Sequence, residues 1–156
     1  MKRAITSMAK VPVAGTVKTR LQPFLTATQC AELAAAFLRD AESRAKIVCD
    51  DTILAYSPAD QRAVLENLLS FENILIEQTG ADLGARMCVA FEFAFAREKD
   101  SSVLMIGTDT PTVPAELTNK RLSFENRSGL GFWKISRRRF LFNRSAAVRA
   151  ATFQRY

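Results

Sequence analysis

The sequence contains no histidine, and this absence excludes several kinds of catalytic site. Ser-His-Asp and Cys-His nucleophilic catalysis both need an imidazole, and zinc sites use histidine more than any other ligand. Any catalysis by this chain must therefore use carboxylates, lysine, arginine, hydroxyl groups or a hard metal ion.

Cysteine is scarce, with three residues that lie far apart in the sequence, Cys30, Cys49 and Cys88. They form no CxxC pair, and their odd number argues against a disulfide framework. Free cysteine commonly behaves as a small buried hydrophobic residue, so we expect all three to pack in the core.

Long apolar runs are also missing, since no stretch approaches the roughly 20 residues that a membrane-spanning helix needs. The first eight residues become polar too soon for the apolar region of a signal peptide. With 156 residues, 48% of them hydrophobic, the chain is long enough for one domain with a substantial core. We therefore expect a cytoplasmic protein without a membrane span.

Acidic residues nearly disappear from the end of the chain. Residues 1–119 carry a net charge of −3, whereas residues 120–156 carry +9 and contain Glu125 as their one acidic residue. We expect residues 1–119 to form the folded unit and residues 120–156 a basic tail, poorly ordered or non-native. Its arginines and aromatic side chains permit a nucleic-acid interpretation, but a disordered basic terminus is favoured, and no specific nucleic-acid partner is expected.

Apolar runs and helical periodicity alternate through the first unit. Strands are predicted at residues 4–8, 51–56, 73–77 and 103–106, with helices between them: one capped by Thr28, one over 57–68 and one over 82–96. This alternation predicts an α/β fold with three αβα layers and a mainly parallel sheet. Ligands of such sheets bind at the carboxyl ends of the strands, here at loops 9–20, 78–82 and 107–111.

The first of these loops combines Gly15 with three cations and two hydroxyl groups; the candidate ligand-binding residues are Lys10, Gly15, Lys18, Thr19 and Arg20. A flexible glycine lets backbone N–H groups approach a diphosphate, and lysine or arginine neutralises its charge. The loop is not a Walker A motif, because Thr16 and Val17 separate Gly15 from Lys18. A solvated basic loop without a ligand is the alternative.

The other two loops carry acidic residues. Asp109 follows a buried strand, where a carboxylate could hold a divalent cation or merely cap a turn before Pro111. Asp82 could cap the third helix, and Arg86 is predicted to point toward the same end of the sheet. Gly84 in the first helical turn suggests a close backbone approach.

Three motifs together resemble a known family. MAKxPxxGxVKTRL over residues 8–21, QxGxDLGxRMxxAF over residues 78–91 and GTDxPxxP over residues 107–114 occur in this order. They resemble the bacterial GT-A-type glycosyltransferase-like proteins associated with radical-SAM and selenodomain proteins. The resemblance covers residues 1–119.

The resemblance implies a Rossmann-like GT-A nucleotide-diphosphosugar transferase fold, truncated here, that binds a nucleotide-diphosphosugar donor and transfers the sugar to an unknown acceptor. It places Lys18 and Arg20 on the diphosphate, Asp82 and Arg86 at the nucleotide pocket, and Asp109 on Mg²⁺ or Mn²⁺. Position 107 is glycine, so the second carboxylate of a DxD motif is absent. No catalytic residue is assigned.

The resemblance ends after residue 119, where the family expects an Asp-Gly-Gly segment. With permitted synonymous codons, residues 129–146 read one base out of frame can encode that segment, so a frameshifted terminus is our hypothesis. A chain without this segment could be catalytically incomplete. Two alternatives to a glycosyltransferase therefore stay open: a nucleotidyltransferase of the same fold that releases pyrophosphate, and a non-catalytic nucleotide-binding remnant.

Overall fold

The computed structural model describes residues 3–69, 72–97, 102–109, 116, 118, 130–135 and 138–143. Its strands and helices follow one another as β1 (Arg3–Lys10), α1 (Ala27–Val48), β2 (Asp51–Ser57), α2 (Arg62–Leu68), β3 (Ile74–Glu77), α3 (Leu83–Arg97), β4 (Ser102–Gly107), β5 (Leu130–Ile135) and β6 (Arg138–Asn143). A short 3₁₀ helix covers Thr19–Leu21 between β1 and α1.

Strands β1 to β4 form one parallel sheet in the order β3-β2-β1-β4. Central β1 pairs with both neighbours, so that Ser7 lies opposite Leu54 on β2 and Ile106 on β4. Strands β2 and β3 therefore follow β1 on one side of it, and the chain then crosses to the other side of β1 to form β4. The predicted α/β fold with a mainly parallel sheet is confirmed.

The sheet is covered on both faces, which explains its apolar strands. Ile5 and Leu104 pack against the end of α1, while Leu54 and Tyr56 pack against α1 and α2. On the opposite face, the methionines of β1 and β4 pack against α3. Alternate residues of β1 therefore face different helices, which gives the predicted three layers.

Helix α1 begins earlier than predicted. Its N-cap is Thr26, whose hydroxyl accepts from the backbone N–H of Gln29, while the Gln29 side chain accepts from the Thr26 backbone. The prediction of Thr28 as the cap is therefore wrong. A capping box needs Glu or Gln three residues after the cap, and Gln29 supplies it for Thr26, whereas Ala31 stands at that place for Thr28.

The cysteines are free thiols, and Cys30 and Cys49 are buried. None of the helices in the described part of the chain combines the length and apolarity that crossing a bilayer requires. Strands β5 and β6 pair antiparallel within the segment predicted as a basic tail. The other residues of that segment, and Pro111 to Pro114 of the third motif, lie outside the described residues.

Candidate functional site

A pocket of about 200 Å³ opens at the carboxyl ends of β1 and β4. In the strand order β3-β2-β1-β4, this is where the chain direction across the sheet reverses, and open α/β sheets bind ligands at such a point. The lining comes from β1 and its loop, from α1 and from the end of β4: Met8, Ala9, Lys10, Thr16, Val17, Lys18, Ala34, Leu38, Thr108 and Asp109.

The loop after β1 is folded tightly on itself. The Lys10 ammonium donates to the Thr16 carbonyl at 2.8 Å, and the Thr16 hydroxyl donates to the Val13 carbonyl at 2.9 Å. Gly15 has a φ of +82°, a conformation that favours glycine, and Val17 is buried beneath the loop. These hydrogen bonds hold the backbone of the loop in one conformation. The Lys10 ammonium keeps further N–H donors for a ligand.

Lys18 is held by three features at once. Its backbone is left-handed, with φ 50° and ψ 32°, a conformation uncommon for residues other than glycine. Its ammonium pairs with the Asp109 carboxylate and lies 5.0 Å from the centre of the Phe37 ring on α1. The position of this cation is thus set by the loop, by α1 and by the end of β4 together.

Asp109 is the carboxylate that could hold a metal ion at this pocket. Its side chain is 77% exposed, against 20% for Lys18, so one side of the ion pair is open to solvent. No cluster of three or more candidate ligands exists among the described side chains, so a metal here would take its other ligands from water and phosphate. Mg²⁺ binds in this way, and the Asp109 carboxylate has one cation beside it, the Lys18 ammonium.

Thr19 and Arg20 lie in the 3₁₀ helix beside the pocket, and both are exposed. Neither is among the residues that line the pocket. A ligand larger than the pocket would have to extend along the loop to reach Arg20. Of the predicted binding residues, the structure therefore gathers Lys10, Lys18 and Asp109 at the pocket itself.

Asp82 and Arg86 make contacts within their own loop. The Asp82 carboxylate accepts from the backbone N–H of Ala85 at 2.8 Å and so caps α3, while Arg86 Nε donates to the Gly80 carbonyl at 3.2 Å. Neither lines the pocket at β1 and β4. Their nucleotide-binding role stays a prediction.

Gln78 ties three strand ends together, a role that its sequence pattern did not reveal. Its side-chain amide donates to Ala9 O at 3.0 Å and Ala55 O at 2.8 Å, and its backbone N–H donates to Tyr56 O at 2.8 Å. In the sequence, Gln78 is distinguished by its place as the first residue of the second motif. Gln78 thereby fixes the end of β1, from which the cationic loop departs.

Replacing Gln78 by leucine is expected to lower the free energy of unfolding by about 1–2 kcal/mol, because two carbonyls lose their donor. The end of β1 should loosen, which amide hydrogen exchange at Val11 would detect, since that N–H bonds Ser57 O at 2.8 Å. Gln61→Leu is the control, because the Gln61 side-chain amide joins no strands: it donates to the adjacent Asp60 carboxylate, at 3.4 Å, and to no other described residue. Equal losses in the two variants would contradict a special role for Gln78.

The comparison with protein families matches residues 40–123 to DUF2064, described as an uncharacterized protein conserved in bacteria. The chain belongs to the DUF2064 family. No curated protein matches it. The closer resemblance to the radical-SAM and selenodomain-associated proteins stays a prediction, as does the shifted reading frame.

Solved structures share the fold. A candidate nucleotide-diphospho-sugar transferase from Desulfovibrio desulfuricans G20 matches with a TM-score of 0.75 and 29% identity over 83% of this chain, and the chain spans 57% of that protein. Rv0371c from Mycobacterium tuberculosis H37Rv matches with a TM-score of 0.57 and 14% identity, over 94% of this chain and 74% of that one. The complex of Rv0371c with manganese gives 0.50 and 14%, over 85% and 63%.

Proposed function

We propose that this DUF2064 protein binds a nucleotide-diphosphosugar together with Mg²⁺ or Mn²⁺ at the pocket between β1 and β4. The observation that carries the proposal is the Lys18–Asp109 pair, which places a cation and an exposed carboxylate side by side at the reversal point of the sheet. The Desulfovibrio protein supports the donor class, and the manganese complex of Rv0371c supports a divalent metal.

The diphosphate would meet the cations of the loop after β1. Lys10 and Lys18 line the pocket, and Arg20 follows in the exposed 3₁₀ helix, so the three could neutralise successive phosphate oxygens. Gly15 and Thr19 would contribute backbone and hydroxyl donors from the same loop. Asp82 and Arg86 are proposed to contact the nucleoside part.

Asp109 would hold the divalent metal between the protein and the diphosphate. The metal, when bound, would neutralise charge on the leaving nucleoside diphosphate. The sugar would then be transferred to an acceptor of unknown identity. Because the chain spans 57% of the Desulfovibrio protein, transfer is the proposal for the whole protein, and donor binding is what these residues support.

Titration with fluorescent nucleoside diphosphates, with and without Mn²⁺, tests the donor site. The Asp109→Ala variant should lose about tenfold or more of its affinity in Mn²⁺, because the carboxylate that anchors the metal is gone. Asp40→Ala, which removes an exposed carboxylate from α1, is the matched control and should bind normally. Metal-dependent binding that survives in Asp109→Ala would refute the proposed site.

Product analysis separates the reactions. Incubation with nucleotide-diphosphosugars should release nucleoside diphosphate if the protein is a glycosyltransferase. Release of pyrophosphate from a nucleoside triphosphate and a sugar phosphate would instead identify a nucleotidyltransferase of the same fold. Tight nucleotide binding without either product would identify a non-catalytic binding protein.

A further inference from the structure

We infer that Lys18 acts as an internal counter-ion that occupies the place of the divalent cation on Asp109 until a diphosphate draws it away. The inference rests on the proposed donor site and adds to it an order of events: the metal site becomes available when the diphosphate arrives. Nucleotide and metal would then bind cooperatively.

The position of the Lys18 ammonium supports this role. It contacts an Asp109 oxygen directly and is itself largely sheltered, with the side chain 20% exposed. The Phe37 ring, 5.0 Å away, supplies a second attractive surface for the same charge. The cation therefore has a defined resting place instead of being spread over solvent-exposed rotamers.

A divalent metal ion on the same carboxylate would lie within a few ångströms of this ammonium. Like charges so close repel strongly, most of all where the protein shields one of them from water. Lys18 must therefore leave the carboxylate before a metal ion can be held there at full strength. Among the described residues that line the pocket, Asp109 is the one that is acidic, so none of them offers a second carboxylate to compensate for the ammonium.

A diphosphate supplies the alternative partner that Lys18 needs. Its oxygens would attract the ammonium into the pocket that Lys18 already lines. A lysine side chain is a compact charge on a flexible stem, so this movement needs no change in the loop. Once the ammonium has moved, Asp109 is free for a metal ion. By linkage, bound metal would raise the affinity for the diphosphate by the same factor.

Lys10 is the natural control, because it is a cation of the same loop that lines the same pocket. Its ammonium, however, donates to the Thr16 carbonyl at 2.8 Å and is not paired with Asp109. Removing Lys10 changes the net charge of the site as much as removing Lys18 does. A difference between the two variants thus reports the contact with Asp109 and not the general charge.

The experiment measures Mn²⁺ alone, through the loss of the free-ion electron paramagnetic resonance signal, in the full chain without nucleotide. Lys18→Met should bind Mn²⁺ about tenfold more tightly than the native chain, within the usual range of coupling between sites. Lys10→Met should change the affinity far less. Lys18→Arg, which restores a cation, should return the affinity to the native level and shows that the effect follows the charge.

The Asp109→Ala variant and a nucleotide titration distinguish a failure of the counter-ion role from a failure of the proposed function. If Lys18→Met and the native chain bind Mn²⁺ equally and Asp109→Ala binds none, the counter-ion role is wrong and the metal site stands. If Mn²⁺ binding is the same in Asp109→Ala as in the native chain, and nucleotides do not bind either, the proposed function itself fails. Circular dichroism of each variant confirms that it is folded.

Discussion

Replacing Glu42 by glutamine should make the free energy of unfolding nearly independent of pH between 4.5 and about 7, whereas the native chain should lose about 3 kcal/mol over that range. Glu42 lies on α1, against the centre of the sheet, and its side chain is 0% exposed. Neither carboxylate oxygen has a hydrogen-bond partner among the described residues. A buried carboxylate without such partners is costly to ionise.

Burial raises the pKa of Glu42 from 4.5 to about 7, and the nearby Ser7 hydroxyl and the Lys46 charge lower it only in part. Ser7 Oγ does not complete a hydrogen bond of good geometry to the carboxylate. Lys46 lies one helical turn further along α1, but its ammonium donates to the Glu72 carbonyl at 2.6 Å. Within the described part of the chain, Glu42 therefore meets no full ionic partner between α1 and the sheet.

The direction of the pH effect follows from the raised pKa. The folded chain binds the Glu42 proton more tightly than the unfolded chain, so this contribution to stability is fully present below pH 4.5. It is lost as the pH rises from 4.5 toward about 7, and it stays lost above that value. A difference of one between the pKa of Glu42 in the folded chain and in the unfolded chain corresponds to about 1.4 kcal/mol. The rise from 4.5 to about 7 therefore gives a total of about 3 kcal/mol.

Urea unfolding followed by far-ultraviolet circular dichroism at pH 5 and pH 8 measures this effect. Glu42→Gln keeps the volume of the side chain but cannot ionise, so its unfolding midpoint should fall much less between the two pH values. Glu32→Gln, on an exposed position of the same helix, should behave as the native chain does. A steep decline that persists in Glu42→Gln would assign the pH dependence to other groups.

The sheet and its site loops could be predicted from the sequence because they depend on local pattern. The apolar residues 103–106 predict a strand covered on both faces, and β4 is such a strand. Parallel strands place their carboxyl ends along one edge, which is why Lys10, Lys18 and Asp109 could be expected near one another. The N-cap at Thr26 could also be predicted from the sequence, since Gln29 completes its capping box.

Contacts across long sequence separations could not be predicted in the same way. Lys18 and Asp109 are 91 residues apart, and their pairing requires a left-handed backbone at Lys18 that its residue type does not indicate. Glu42 belongs to a part of α1 beyond the periodic segment around residues 30–38, and only packing shows that its side chain faces the sheet. Gln78 reaches a carbonyl of β1 across β2, which depends on the register of three strands.

Replacing Gly80 by alanine should lower the free energy of unfolding by about 3 kcal/mol, a second large effect and one that acts through the backbone. Gly80 has a φ of +140°, which disfavours any residue with a side chain. An added Cβ would lie 2.8 Å from Ala85 Cβ and 2.8 Å from the backbone nitrogen of Arg86. The first turn of α3 would have to move, because a helix backbone cannot yield as a flexible side chain can.

Gly15→Ala is the matched control for this substitution. Gly15 also has a positive φ, of +82°, but nothing lies within 4 Å of the position that its Cβ would take. This variant should therefore lose only the cost of the left-handed conformation, about 1 kcal/mol. Urea midpoints of the two variants and the native chain measure the difference.

The Gly80→Ala substitution should also affect the candidate site, through Asp82 and Arg86. Gly80 O accepts from Arg86 Nε, and the Arg86 backbone N–H donates to Asp82 O at 3.1 Å, so displacement of this turn would disturb both predicted nucleotide contacts. Gly80→Ala should then weaken nucleotide binding even at temperatures where the variant is fully folded. Equal stability losses in the two glycine variants would show that the turn can adjust, and that the glycine is required only for its backbone conformation.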